Sequence, residues 1–241
     1  MTRTLLASLL LLTGCFEEET EGSGDAGDLI DPTADDDGDG FTNFEEEAAG
    51  TNPNYEYSRP YEGDYNVGFC DSPPVATGPR GTGEYVDPST GDVYNWPALV
   101  EGDVPDNFTL QDQHGEMVDL YSFCGKHVML VTSAGWCGPC KGLAAEVQAI
   151  QDEHREAGLQ IIEVITQDSG GNPPGIDFLE YWASTYEFAD VPVLGAPEPT
   201  SYDHPTFWFD LDAGIPSVYH LNANLEVVSA DQMVHDPSNW L

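Results

Sequence analysis

One junction constrains the fold more than any other feature: an apolar run passes through two cysteines into a helical pattern. Residues 127–141 read His-Val-Met-Leu-Val-Thr-Ser-Ala-Gly-Trp-Cys-Gly-Pro-Cys-Lys. The apolar residues 128–131 predict a buried strand. Beyond the cysteines, Leu143, Val147 and Ile150 recur at helical spacing among Glu, Gln and Lys, which predicts an amphipathic helix. Cys137 and Cys140 therefore fall at a strand-to-helix turn, close enough in sequence to close a small disulfide ring. The first sulfur lies near the unpaired N–H groups of the first helical turn, where the helix dipole favours an anion. That lowers the pKa of Cys137 and makes it the expected nucleophile, with Cys140 the resolving thiol. Half of a zinc site is the competing reading. It needs a second close pair of ligands, but Cys70 and Cys124 are isolated and no H-x3-H spacing occurs.

Residues 136–141, W-C-G-P-C-K, match the active-site motif of thioredoxin without a mismatch. Gly214-Ile215-Pro216-Ser217, the alternating run 218–221, a turn at 222–224 and the run 225–228 resemble that superfamily's cis-proline loop and terminal hairpin. The chain thus resembles the thioredoxin-like superfamily over about residues 104–241. The resemblance implies an α/β thioredoxin-like fold, a central mixed sheet flanked by helices. It implies a cis Ile215–Pro216 bond and a substrate site bordered by Trp136, Ile215 and Pro216. It also implies a thiol–disulfide oxidoreductase with no catalytic cofactor, acting on protein thiols or disulfides and served by a redox partner. The Gly138-Pro139 dipeptide matches thioredoxin, which implies a reductant with a potential near about −270 mV rather than about −120 mV. Two alternatives stand beside this. A peroxiredoxin-like thiol peroxidase calls for P-x-x-x-[ST]-x-x-C, but this chain has Leu130 and Ala134 at the Pro and Ser/Thr positions. A calcium-stabilised surface binding or structural lipoprotein would use the same fold only as a scaffold.

A carboxylate to handle protons at the site has to be sought elsewhere than usual. Thioredoxins carry a buried Asp six residues before the first cysteine, and this chain has Val131 there. The related membrane-tethered family of TlpA and ResA has a Glu three residues after the second cysteine, and this chain has Leu143. In Ile161-Ile162-Glu163-Val164-Ile165 one carboxylate interrupts a run that otherwise reads as buried on both faces. Desolvation there would raise the Glu163 pKa toward neutrality, suiting it to proton exchange.

The rest of the chain reads in order. Residues 1–14 carry one Arg and a short apolar run, too short to span a bilayer, and predict a signal peptide. Leu12-Thr13-Gly14-Cys15 resembles a bacterial lipobox, which implies cleavage before Cys15, lipid on that cysteine, and a place in the bacterial cell envelope, periplasmic or outer-surface. Residues 15–34 are acidic and poor in apolar groups, and predict a flexible tether. Residues 35–54 contain a calcium loop. Asp35, Asp37 and Asp39 stand at positions one, three and five, Gly40 at the sharp turn, the Phe41 carbonyl at seven, Asn43 at nine and Glu46 at twelve. The continuation resembles bacterial thrombospondin type 3-like calcium repeats. Residues 55–103, rich in Pro, Gly, Tyr and Asp, predict an irregular arm whose aromatics pack on the following domain. The thioredoxin-like domain then occupies 104–241, opening with a hairpin over 107–119 and including a Pro-rich insertion at 195–213. Cys70 and Cys124, left over in an exported chain, are expected to form a structural disulfide pinning the arm to the domain.

Charge narrows the partners. Six basic residues face 44 acidic ones, a net charge of −38, which argues against nucleic acid and anionic membrane surfaces. Loss of residues 1–14 would remove one arginine and leave −39. The membrane is expected as a partner only through the lipid anchor.

Overall fold

A computed structural model describes residues 31–197, 204–210, 214–230 and 235–241. The signal peptide, Cys15 and most of the tether lie outside the described residues. Residues from Pro32 to Leu241 form one compact unit. Among the described residues no helix is long and apolar enough to cross a membrane.

The elements are α1 (Asn43–Ala49), β1 (Gly81–Val86), β2 (Val93–Ala98), β3 (Thr109–Gln111), β4 (Met117–Asp119), β5 (His127–Ser133), α2 (Gly138–His154), β6 (Leu159–Ile165), α3 (Ile176–Thr185), β7 (Val193–Gly195), β8 (Ser217–Leu221) and β9 (Val227–Ala230). Five strands make the central sheet in the order β7-β6-β5-β8-β9. β5, β6 and β7 run parallel, while β8 pairs antiparallel with both β5 and β9. This mixed sheet flanked by helices is a thioredoxin-like fold. Its two parallel crossovers are supplied by α2 and α3, as short parallel connections require.

The strands alternate between two buried faces. Met129, Val131 and Ile161 pack with Leu143 and Val147 of α2, and Ile165 packs with Leu179 and Trp182 of α3. Val128, Leu130, Ile162 and Tyr219 turn to the opposite face. There the β3–β4 hairpin and Tyr55 and Tyr65 of the arm cover them. A sheet covered on both faces has near-continuous apolar strands, which is why β5 and β6 read so plainly in the sequence.

The structure corrects two expectations. The arm is not irregular throughout, because β1 and β2 form a two-stranded ribbon in register Gly83↔Trp96 and Tyr85↔Tyr94. Gly83 is required there: a Cβ would come within 2.3 Å of the Trp96 ring, which lies across the ribbon. The acidic loop, expected from the sequence to be a stalk ahead of the domain, does not stand apart from it. It belongs to the same compact unit, joined by a segment whose Tyr55 hydroxyl donates to the Tyr121 carbonyl at 3.1 Å and whose Ser58 hydroxyl donates to the Gly68 carbonyl at 2.8 Å. Cys70 and Cys124 are bridged, with Cα atoms 5.8 Å apart across a separation of 54 residues.

Candidate active site

α2 begins with Cys137 as its N-cap residue and Pro139 in its first turn. Proline suits that place because its missing N–H would be unpaired anyway. Cys137 and Cys140 are joined as a disulfide, so the sulfurs stand for the oxidised form of the dithiol. The Cys140 backbone N–H donates to Cys137 Sγ at 3.1 Å. This is the contact that would hold negative charge on the sulfur once the bond is reduced. Cys140 is fully covered, whereas Cys137 keeps 4% of its surface. Of the two cysteines only Cys137 keeps any surface.

The cis-proline loop closes over the pair. Ile215–Pro216 is cis, and Cys137 Sγ lies 3.7 Å from the Ile215 carbonyl oxygen. Ala134, Cys137 and Cys140 form one apolar cluster against which Ile215 packs. Trp136, next to Cys137 in the chain, is 53% exposed, and its indole N–H donates to Gln167 Oε1 at 2.7 Å. Gly135, just before it, donates to the Gln167 carbonyl at 2.8 Å. A Cβ on Gly135 would sit 2.4 Å from the Phe178 ring and 2.7 Å from the backbone of residues 168 and 169, so the close approach needs glycine. Sequence reasoning missed Gln167. Its only signal is that it follows the second apolar strand by two residues, at the same sheet end as the cysteines.

Glu163 lies at the centre of β6, opposite Val131 of β5 and Val193 of β7. It is fully buried on the α2/α3 face. Burial pushes its pKa up to about 8, and the Ser133 hydroxyl and the Trp182 indole N–H face the carboxyl and pull it partly back without closing a full hydrogen bond. Neither carboxylate oxygen has a hydrogen-bond partner, nor does the buried Ser133 hydroxyl or the Trp182 indole N–H. These four atoms are a pocket of unsatisfied polarity beneath α2. Such groups are costly to bury unless they hold a proton or a water between them.

The acidic loop has a different chemistry. Asp35, Asp37 and Asp39 each bring one oxygen to within 4.8 Å of the others. Gly38 and Gly40 take positive φ, and Asp35 accepts from the backbone N–H groups of both. Glu46 is fully covered on α1 with both oxygens unpartnered, and one oxygen each of Asp37 and Asp39 is likewise buried without a partner. Burial and then the three aspartates push the Glu46 pKa up to about 7. Buried, unsatisfied carboxylate oxygens in one cluster fit a hard divalent cation such as Ca2+. Asn43 stays within the loop, its Oδ1 accepting from the Asp36 N–H at 3.0 Å.

Together, the fold and the Cys-Gly-Pro-Cys junction define a thioredoxin-like domain bearing a redox-active type of dithiol. Comparison with known proteins agrees with that class. Residues 100–196 match the AhpC/TSA family and residues 35–54 match the bacterial TSP3 repeat. The chain is 28% identical over 89 residues to a protein of Citrus sinensis named for phospholipid hydroperoxide glutathione peroxidase, covering 36% of this chain and 53% of that one. It is 33% identical over 63 residues to the thiol-disulfide oxidoreductase ResA of Halalkalibacterium halodurans, covering 26% of this chain and 36% of that one. The chain thus spans about half, or less, of the length of the curated relatives it matches. Among solved structures it resembles the thioredoxin domain of a thiol-disulfide oxidoreductase from Bacteroides vulgatus, with 18% identity, a TM-score of 0.46, and coverage of 59% of this chain and 95% of that one.

Proposed function

We propose that this protein is a lipid-anchored thiol–disulfide oxidoreductase of the bacterial cell envelope, working as a disulfide reductase. The observation that carries the reading is the asymmetry of the pair: Cys137 caps α2 and keeps a little exposure, and Cys140 is sealed beneath it. In the reduced protein the Cys137 thiolate attacks one sulfur of a substrate disulfide. The S–S bond of the substrate breaks, one substrate thiolate leaves, and a mixed disulfide forms. The Cys140 thiol then loses its proton and attacks the Cys137 sulfur. This closes the Cys137–Cys140 bond and releases the second substrate thiolate. Two electrons pass from the dithiol to the substrate, and a dithiol redox partner must return them. Glu163 is the proposed proton-handling group for Cys140, with Ser133 the polar side chain facing it. Ile215, Pro216 and Trp136 border the substrate.

Asp35, Asp37, Asp39, the Phe41 carbonyl, Asn43 and Glu46 are the proposed holders of one Ca2+, whose role is to fix the loop against the domain. Cys15 carries the lipid in this reading, so labelling by a radioactive fatty acid should be lost in Cys15→Ala.

Reduction of insulin by the full chain tests the activity, with Cys137→Ser as the inactive control. A peroxidase reading is favoured by the AhpC/TSA match and by the peroxidase-named relatives. It predicts rapid consumption of hydroperoxide by the reduced protein and slow insulin reduction; the reductase reading predicts the reverse.

A further inference from the structure

Beside the cis-proline loop, on the face of the sheet opposite α2, lies an open groove of about 520 Å³. One wall is the β1–β2 ribbon, which presents Tyr85 and Tyr94, stacked at 6.3 Å and about half exposed, with Trp96 at the base. The other wall is the segment of Thr206, Phe207 and Asp210, and the floor reaches Ile215. The walls are fixed to each other: the Trp96 indole N–H donates to the Asp210 carbonyl at 2.6 Å, and the Leu99 N–H to the Trp208 carbonyl at 2.9 Å. A groove held open in this way needs little ordering when a ligand enters.

Three observations bear on the occupant. Ile215, one of the lining residues, is the residue whose carbonyl lies 3.7 Å from Cys137 Sγ, so the groove adjoins the dithiol. Among the described residues the lining includes Asp87 and Asp210, the latter accepting from the Gly214 N–H at 3.1 Å, and no lysine, arginine or histidine. Hydrogen bonds from the Ser89 side chain and backbone hold the Asp87 carboxyl below its ordinary pKa, which keeps it charged. Finally, Thr132 is among the lining residues, and its buried hydroxyl has no hydrogen-bond partner.

We propose that this groove binds the polypeptide segment flanking the substrate cysteine and selects segments that carry lysine or arginine there. Aromatic faces with carboxylates beside them attract a cationic side chain twice, through the ring quadrupoles and through charge. A second copy of this chain is a poor occupant, since a net charge of −38 opposes self-association at an acidic groove.

The inference rests on the reductase reading, and the test separates the two. The full chain is reduced, freed of reductant, and mixed with a short peptide whose single cysteine is capped by thionitrobenzoate. In the single turnover the protein dithiol becomes the disulfide, and the peptide thiol and coloured thionitrobenzoate are released. Two peptides are compared, with arginines or with glutamates beside the cysteine. The arginine peptide should react about tenfold faster at low concentration, and Asp87→Asn or Tyr94→Ala should each reduce that ratio by roughly threefold to fivefold. The ratio is the readout because a loosened fold would slow both peptides alike. Glu180→Gln, which removes an exposed charge on α3, should leave the ratio unchanged. A ratio near one, or one that falls equally in Glu180→Gln, overturns the groove as the selector while leaving the reductase reading intact. If neither peptide reacts, the reductase reading fails and the groove proposal falls with it.

Discussion

The Trp136 indole N–H is bonded to Gln167 Oε1 at 2.7 Å, across 31 residues of sequence. The bond fixes a half-exposed aromatic ring adjacent in sequence to Cys137, and Gln167 also lines the groove beside the cis-proline loop. One side chain thus ties the lid of the site to the wall of the substrate groove.

Replacing Gln167 by Ala should free the ring without touching either sulfur. A lost hydrogen bond of this kind is worth about 1 kcal/mol. Insulin reduction should fall roughly fivefold in kcat/KM, while the potential of the Cys137–Cys140 couple stays that of wild type. An unchanged rate would show that the ring needs no such anchor.

The Cys70–Cys124 bridge should support stability rather than chemistry. It closes a separation of 54 residues, for which chain entropy gives about 4 kcal/mol, often less in practice. The double substitution Cys70→Ser with Cys124→Ser should lower the denaturation midpoint and leave the single-turnover rate of folded protein unchanged. Peptide mapping without reductant should recover the two residues linked.

Calcium should bind the full chain at one site, with an affinity on the order of 10⁻⁴–10⁻³ M. Asp35→Ala and Glu46→Gln should each weaken the heat measured by calorimetry. The whole chain is needed, because the loop packs with Tyr55 and Ser58 against the domain. No heat at millimolar calcium would leave the loop as an acidic turn only.

Glu163 sets a pH dependence whose sign follows from its raised pKa. In the unfolded chain the carboxyl ionises near about 4.3, whereas in the folded protein burial holds its proton until about 8. Between those values folding must take up a proton, so this group costs stability increasingly as pH rises from about 4.3, and the loss levels off above pH 8. Glu163→Gln should therefore gain on wild type between pH 5 and pH 8, by on the order of a few kcal/mol. In wild type the resolving step should quicken as pH rises through about 8, and that rise should be missing in the variant. A variant that unfolds, or one with the wild-type pH–rate profile, contradicts the role proposed for Glu163.

The fold was legible wherever the signal was local. β5, the cysteines and α2 follow one another without interruption, and the alternating residues 217–221 announce β8. The β3–β4 hairpin was marked by its turn at Asp112 to Gly115. What escaped depends on contacts distant in sequence. β1 and β2 look irregular because Gly, Thr, Asn and Pro dilute their alternation, and Tyr85 and Tyr94 face solvent rather than a core. Trp96 reveals its place only through Asp210, 114 residues away. Gln167 is an ordinary polar residue until the fold sets it against Trp136. Glu163 stood out as a lone charge in an apolar strand, but its neighbours Ser133 and Trp182 come from two other elements.

The division of labour between the two sulfurs is the central claim, and trapping tests it most directly. The Cys140→Ser full chain is reduced, mixed with insulin, quenched with acid and weighed by mass spectrometry. A mixed disulfide between Cys137 and an insulin chain should accumulate, and Cys137→Ser under the same conditions should yield none. Trapping through Cys140 in the Cys137→Ser protein, or no adduct in either variant, would contradict the account.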